Sequence, residues 1–324
     1  MNGRPPGKQA GIAVLTAILV VAIATVLAVN LLWQTSVNLR RTETLLLQDQ
    51  ARQWDLSGED FAKHWLAEDA PSRGGNNIDT LQDDWARPVA FELDVGTILG
   101  QLEDQQGRFN LNGLVDASGK PIKATVEQYR RLLTLLPLDP PLDPGTASAL
   151  TDATIDWIDP DQFPGPEGAE DDRYTSRLPP YRTANYWFTS TSELLAIEGY
   201  TPAIFDELKR YVTALPPANA NGQGLKLNIN TASKFVLASL ADDLTTFDVD
   251  PFLDQAYNDP SEFTDDLLKA SGKQIPPDIA LGVESNWFLL TVTVSIGSVQ
   301  STMYSLLERQ GQDIRTRLRT FDDR

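Results

Sequence analysis

From Ile12 to Trp33 the chain reads IAVLTAILVVAIATVLAVNLLW, without a charged residue. A helix of that length crosses a hydrocarbon core roughly 30 Å thick. Beyond Trp33 the apolar pattern changes period rather than stopping. Val37, Thr44, Leu47, Ala51, Trp54, Phe61 and Trp65 fall at alternating three- and four-residue steps, with Arg40 and Gly58 in the remaining places. That spacing predicts one face of a helix continuing past the membrane. Asp69-Ala70-Pro71 and then Ser72-Arg73-Gly74-Gly75 predict its end. The expectation is a transmembrane half over 12–33 and an amphipathic stalk over 34–70.

The remaining pattern is strands, then helices, then strands. Val89–Leu93, Ile98–Leu102 and Arg108–Asn112 read as short strands, parted by Gly96 and by Gln106-Gly107. Trp287–Ile296 is rich in β-branched residues, Gly297-Ser298 makes a turn, and Val299–Glu308 alternates imperfectly, which predicts a terminal hairpin. Between them Thr125–Leu136 and Gly145–Ile155 show helical spacing. Ser190 to Glu193 reads as a capping box. Thr201-Pro202 opens a helix with proline at its first position, and Thr231 is placed to cap Ala232–Leu240. The order implies an α+β fold, a small sheet (85–112 and 284–310) interrupted by a helical insertion.

Charge and composition narrow the functions. The chain has 324 residues, with 27 Lys+Arg against 45 Asp+Glu and a net charge of −18. That is the wrong sign for wrapping nucleic acid. Cysteine is absent, which excludes disulfides, thiolate nucleophiles and cysteine-ligated metals. The single histidine, His64, leaves little from which to build a catalytic triad or a multi-histidine metal site. Two stretches, 192–212 and 227–240, have the look of helix-hairpin-helix DNA-binding units. Glu198 sits where phosphate would bind in the first, so both read as protein-packing units. Asp/Glu pairs abound, but none stands out as a glycosidase pair.

The segment before the apolar run, MNGRPPGKQAG, carries Arg4 and Lys8 and no acid. Those cations favour a cytoplasmic N-terminus, although Arg40 and Arg41 on the far side pull the other way. A secretory signal peptide has an apolar core of about 7–15 residues; this run is longer and flows into the stalk. A short basic leader ending in glycine resembles the leader cut by prepilin peptidase, with the cut between Gly11 and Ile12. Most pilins carry Glu at mature position five; counted from Ile12, that place is Thr16. An unpaired carboxylate in hydrocarbon is costly, so a subunit with no neighbour ahead of it has no use for one. Thr16 points to a filament tip.

The phrases GRFNLNGL (107–114), DWIDPD (156–161), GAEDDRY (168–174), Asn185 through Ser192-Glu193-Leu194, and KLNINTA (226–232) occur in one order. Together with the leader and the acidic ectodomain, they resemble the K-type minor pseudopilins of bacterial type II secretion across essentially the whole chain. The lack of cysteine departs from relatives that carry a disulfide. The resemblance implies a pilin-like long helix on a small antiparallel sheet, with two SAM-like helical units inserted (113–215 and 225–282). It implies a structural, non-enzymatic subunit in the bacterial inner membrane, single-pass, with its C-terminal domain in the periplasm. The expected position is the pseudopilus tip, with I- and J-type minor pseudopilins bound along the stalk at Val37, Thr44, Leu47 and Ala51. The major pseudopilin, the inner-membrane assembly platform and prepilin peptidase are the further partners expected, and no nucleic acid.

Residues 156–174, DWIDPDQFPGPEGAEDDRY, crowd seven acids onto a Pro- and Gly-rich path. Oxygen-only ligands on a tight loop suit a hard cation such as calcium. Asp161 and Glu170 fall at positions 3 and 12 counted from Asp159, but Pro164 replaces the glycine an EF-hand requires. From the residues alone, a calcium loop and a solvated acidic loop stand equal. The resemblance, whose K-type members are associated with bound calcium, implies calcium on Asp159, Asp161, Glu170 and Asp171. The cluster Asp242, Asp243, Asp248 and Asp250 reads as a solvated surface. The alternative from another class is a membrane-anchored calcium-dependent hydrolase or binding module.

Overall fold

A computed structural model describes residues 10–70, 78–217 and 224–323. Helix α1, Ala10–Asp69, runs unbroken through both the apolar and the amphipathic halves. Its apolar half, from Ile12 to Trp33, is exposed on all sides and is long and apolar enough to cross a membrane. Of the leader, residues 1–9 lie outside the described residues.

Two strands follow, β1 (Val89–Leu93) and β2 (Gly96–Asp104). The chain then leaves the sheet through β3 (Phe109–Asn110), α2 (Lys123–Leu135), α3 (Pro144–Ile158), α4 (Asp171–Thr175), α5 (Pro202–Leu208) and β4 (Val212–Thr213). A second excursion comprises β5 (Leu227–Asn228), α6 (Lys234–Ala238), α7 (Thr246–Val249), α8 (Pro260–Ser271) and β6 (Leu281–Gly282). The chain returns as β7 (Trp287–Ile296), β8 (Val299–Gln310) and β9 (Asp313–Asp323). The main sheet is antiparallel throughout, in the order β1-β2-β7-β8-β9.

Each excursion is closed by its own short parallel pair, β3 with β4 and β5 with β6. Arg108–Asn112 is therefore not a strand of the main sheet, as its pattern predicted. Only Phe109 and Asn110 pair, and they pair with Val212 and Thr213. The asparagines of the two shared phrases hold these junctions. Asn112 donates to the carbonyls of Phe188 and Leu215 (2.9 and 2.8 Å) and accepts from the Phe188 N–H. Asn230 exchanges two bonds with Tyr257. One continuous core, including Leu111, Tyr129, Leu133, Leu150, Leu208, Val236 and Phe263, runs through both excursions.

The hairpin β7–β8 turns at Gly297-Ser298, with Gly297 at φ +56°, the left-handed backbone a two-residue turn requires. β9 carries a weak strand signal, because Arg315, Thr316, Arg317, Arg319 and Thr320 dilute the apolar alternation. It pairs with β8 from Gln310↔Asp313 onward, past a bulge at Leu306/Leu307. The helix expected from Ala232 behind a Thr231 cap begins instead at Lys234 behind Ser233. The Thr231 hydroxyl is drawn to the buried Asp104 carboxylate.

The stalk half of α1 lies on β7 and β8. Ala51, Asp55, Glu59, Ala62 and Leu66 face the sheet and are buried against Leu102, Phe288, Val292, Met303 and Leu307. A Cβ on Gly58 would come within 3.0 Å of Val292 Cγ1, so glycine lets helix and sheet approach. This stripe corrects the expected outer face. Ala51 is fully buried on the chain's own sheet, and Leu47 packs half-buried beside it. Only Val37 and Thr44 of the four expected stalk contacts remain exposed.

Two carboxylates sit inside that stripe. Asp55 accepts from the Ser301 hydroxyl at 2.6 Å. Glu59, 1 % exposed, accepts from Ser305, Thr316, Lys63 and both Arg319 donors at 2.6–2.8 Å. Burial pushes the Glu59 carboxyl up, but Arg319, Lys63 and the two hydroxyls outweigh it and hold the group well below the usual carboxylate range. Glu59→Gln is expected to destabilise the ectodomain by about 1.5–3 kcal/mol, the range for hydrogen bonds to charged groups. Because the folded value is depressed, the stabilisation is present above the unfolded value near 4.3 and fades as pH falls through the folded one. Denaturant midpoints at pH 7 and pH 3 check this, the gap between wild type and variant narrowing at pH 3.

Candidate metal centre

The loop between α3 and α4 carries the acidic cluster. Asp159 is the residue at which α3 stops. Pro160, Pro164 and Pro166 then deny the backbone a helical continuation. The path brings one carboxylate oxygen from each of Asp159, Asp161 and Glu170 within 4.8 Å of one another. Asp159 and Glu170 are 7 % and 5 % exposed, and Asp161 lies at the surface.

Two of these carboxylates are incompletely satisfied. Asp159 Oδ1 and Glu170 Oε1 are buried and have no hydrogen-bond partner. Among the described residues, no Lys or Arg forms an ion pair with any of the three. Burial, and next the neighbouring charges of Asp161 and Asp156, push Asp159 up to about 6. Burial, and then Asp156 and Asp159, push Glu170 up to about 7. Orphaned buried anions are expensive unless something positive lies between them. The donors are all oxygen, which fits a hard divalent cation.

Asp171 is not brought into the group. One of its oxygens accepts from the Thr183 N–H and hydroxyl at 3.0 Å each, and the other lies 3.7 Å from Arg182. The residue adjacent in sequence thus faces away, held by cationic and hydroxyl partners that periodicity could not reveal. The second acidic cluster is dispersed over separate partners. Asp242 pairs with Arg131, Asp243 with Lys273 and Asp250 with Lys234, while Asp248 accepts from the Thr245 N–H and hydroxyl.

The turn Ile197-Glu198-Gly199-Tyr200 is built into the protein core. A Cβ on Gly199 would meet Leu150, and Glu198 pairs with Arg173 and Arg177. Tyr200 joins Tyr129 and Thr154 in a buried hydroxyl chain with spacings of 2.6 and 2.8 Å. That turn faces protein rather than phosphate. His64 is exposed and lies 3.3 Å from Glu68. At the membrane end, the Thr16 hydroxyl donates to the Ala13 carbonyl at 3.0 Å, within its own helix.

Comparison with known proteins places this architecture. Residues 107–217 match the family model "Type II secretion system (T2SS), protein K". The Type II secretion system protein K of Pseudomonas aeruginosa is 34% identical over 97% of this chain and 92% of its own length. That of Aeromonas hydrophila is 30% identical, over 94% of each chain. A chain in the crystal structure of the GspK–GspI–GspJ complex from enterotoxigenic Escherichia coli superposes with a TM-score of 0.74 at 25% identity. The match covers 87% of this chain and 99% of that one.

The raised carboxyls set a pH dependence. A carboxyl whose folded value lies above its unfolded value near 4 contributes stability that is complete below the unfolded value. It is lost as pH rises through about 6 for Asp159 and about 7 for Glu170. In chelator, the full chain in detergent is expected to lose stability from these groups between about pH 4 and about pH 7. The double variant Asp159→Asn/Glu170→Gln should lack that fall and melt higher than wild type at pH 8. Scanning calorimetry across the pH range measures both slopes.

Proposed function

The chain belongs to the type II secretion system protein K family, and from that premise we propose that it is the minor pseudopilin that caps the secretion pseudopilus and supports export of folded periplasmic proteins across the outer membrane. The observation that carries the reading is the near-complete correspondence, in sequence and in fold, with proteins of that name, one of which was crystallised with GspI and GspJ. I- and J-type minor pseudopilins are accordingly the partners in a tip complex. The unbroken α1 supports the same role, since it joins an apolar membrane half to a half clamped on the sheet. An ectodomain with two helical excursions is too bulky to repeat along a thin shaft. Thr16, uncharged and bonded to its own helix, offers no countercharge to an amine of a subunit ahead.

The apolar half of α1 is read as a single anchor in the inner membrane, with the N-terminus cytoplasmic on the strength of Arg4 and Lys8. The leader is read as cut by prepilin peptidase between Gly11 and Ile12. The chain acts as a structural subunit, not an enzyme. The loop 159–170 is read as a calcium site held by Asp159, Asp161 and Glu170. The orphaned oxygens support that reading, and mutual convergence of three carboxylates suits holding an ion better than the hydrolase alternative. Bound calcium would neutralise the cluster and stabilise the folded head by mass action.

Co-purification, three substitutions and a deletion test the reading. The full chain, co-expressed in membranes with I- and J-type partners, should co-purify with both. Val37→Asp should weaken that association and reduce secretion while leaving the melting of the head unchanged, because Val37 is exposed above the sheet-packed part of α1. Leu47→Asp should instead lower the melting temperature, since Leu47 packs on the chain's own sheet. Gly11→Leu should leave an uncut precursor, seen by N-terminal sequencing. Full secretion by a strain deleted for this chain would overturn the assignment.

A further inference from the structure

We propose that Asp156 is the positioning residue of the 159–170 loop. Its carboxylate grips the loop backbone and thereby sets Asp159, Asp161 and Glu170 around one cation, without itself being a ligand. The proposal rests on the reading of that loop as a calcium site. Asp156 stands in the last turn of α3, 2 % exposed, three residues before Asp159. Its Oδ1 and Oδ2 both accept from the Gly165 N–H, at 3.0 and 3.1 Å. The Ala169 N–H, farther along the loop, favours the charged form of the same carboxylate. Charge-assisted bonds of this kind are stronger than neutral ones and fix geometry.

The loop between the two anchors is shaped around that carboxylate. A Cβ on Gly168 would overlap Asp156 Oδ2, and one on Gly165 would lie 3.4 Å from Oδ1. Glycine at 168 is thus required by close approach, not by a turn. One helical turn earlier on α3, Asp152 Oδ2 accepts from the Glu167 N–H at 3.4 Å, and its Oδ1 pairs with Arg130 at 2.9 Å. Asp152 is therefore neutralised by an arginine. Among the described residues, Asp156 has backbone N–H groups and no ion pair. A buried carboxylate beside Asp159 and Glu170 opposes folding unless it does something a neutral residue cannot. Here two acceptor oxygens meet backbone donors. Asparagine keeps the size but turns one of them into an NH2 group facing N–H.

Terbium(III), a hard oxygen-seeking ion, is the probe, excited through the neighbouring Trp157 and displaced by calcium. The full chain in detergent is titrated, and luminescence lifetimes in H2O and D2O count the waters on the bound ion. Asp156→Asn is expected to weaken both ions by about tenfold or more, the usual effect of losing an outer partner of a metal ligand. The water count at saturation and the metal-free melting temperature should stay those of wild type. Gly168→Ala should weaken binding similarly, yet cost less in an Asp156→Ala background, where the carboxylate it strikes is gone and only the Gly165 nitrogen, 3.0 Å from the added Cβ, stays close. Unchanged affinity in Asp156→Asn overturns the positioning role alone. An added water on the ion overturns it too, by making Asp156 a ligand. A large fall in metal-free melting with unchanged affinity of the folded fraction marks a general packing role and also overturns it. If the unmodified chain binds neither ion, the calcium reading falls and the proposal with it.

Discussion

The guanidinium of Arg309 ties together three parts of the chain that share no sequence neighbourhood. From β8 it reaches Asp69 at the end of α1 (3.2 Å), Asp79 in the segment after the stalk (2.6 and 2.5 Å) and the Ser285 carbonyl (2.6 Å). It also lies 5.0 Å from the centroid of Phe288, which makes a T-shaped contact with Trp85. Asp79 accepts in turn from the Ser285 N–H, and the Ser285 hydroxyl donates to Asp104 at the end of β2. Asn228, at the entry to the second excursion, donates to Asp79, Asp104 and Ser285. Membrane helix, sheet and helical insertion therefore meet in one buried polar knot. Removing one member leaves the others charged and unpaired away from water, which is far more destabilising than the knot is stabilising.

That knot explains how a large head can ride on a thin helix as one piece. The stalk does not merely carry the sheet. It buries Asp55 and Glu59 into it, against hydroxyls of β8 and a β9 arginine. Apolar contact alone would let a helix slide or rotate on a sheet at modest cost. Directional bonds to buried carboxylates fix its register. A subunit that caps a filament must pass force and orientation between membrane helix and head, and this seam supplies that rigidity.

The acidic excess divides into carboxylates that the fold satisfies and carboxylates that it does not. Glu59, Asp79, Asp104 and Asp171 each have arginine, hydroxyl or backbone partners. Asp159 and Glu170 are buried as well, yet each leaves an oxygen without a partner. The difference is what separates a structural acid from a candidate ligand. Net charge, identical for both kinds, cannot reveal it.

Much of this protein was legible in the chain itself. The apolar run and the three-four spacing determined a continuous helix, because a helix is a local structure whose period is written in neighbouring residues. Capping residues Ser190 and Thr201, and the turn at Gly297-Ser298, act over a few positions and were equally legible. The fold class followed from the order of elements, and the family from phrases kept in sequence. Tertiary structure alone decided that the inward face is shifted onto Asp55, Glu59 and Ala62, because these are acidic or small and carry no strong hydrophobic signal. It alone revealed β9, whose alternating arginines pair with acids brought from β8 and α1. In the acidic loop the residue types suggested a cation, but distinguishing Asp171 from Asp159 required knowing that Thr183 and Arg182 fold back on the former. Contacts between residues distant in the chain have no period, so only the folded molecule shows which carboxylate is answered and which is left open.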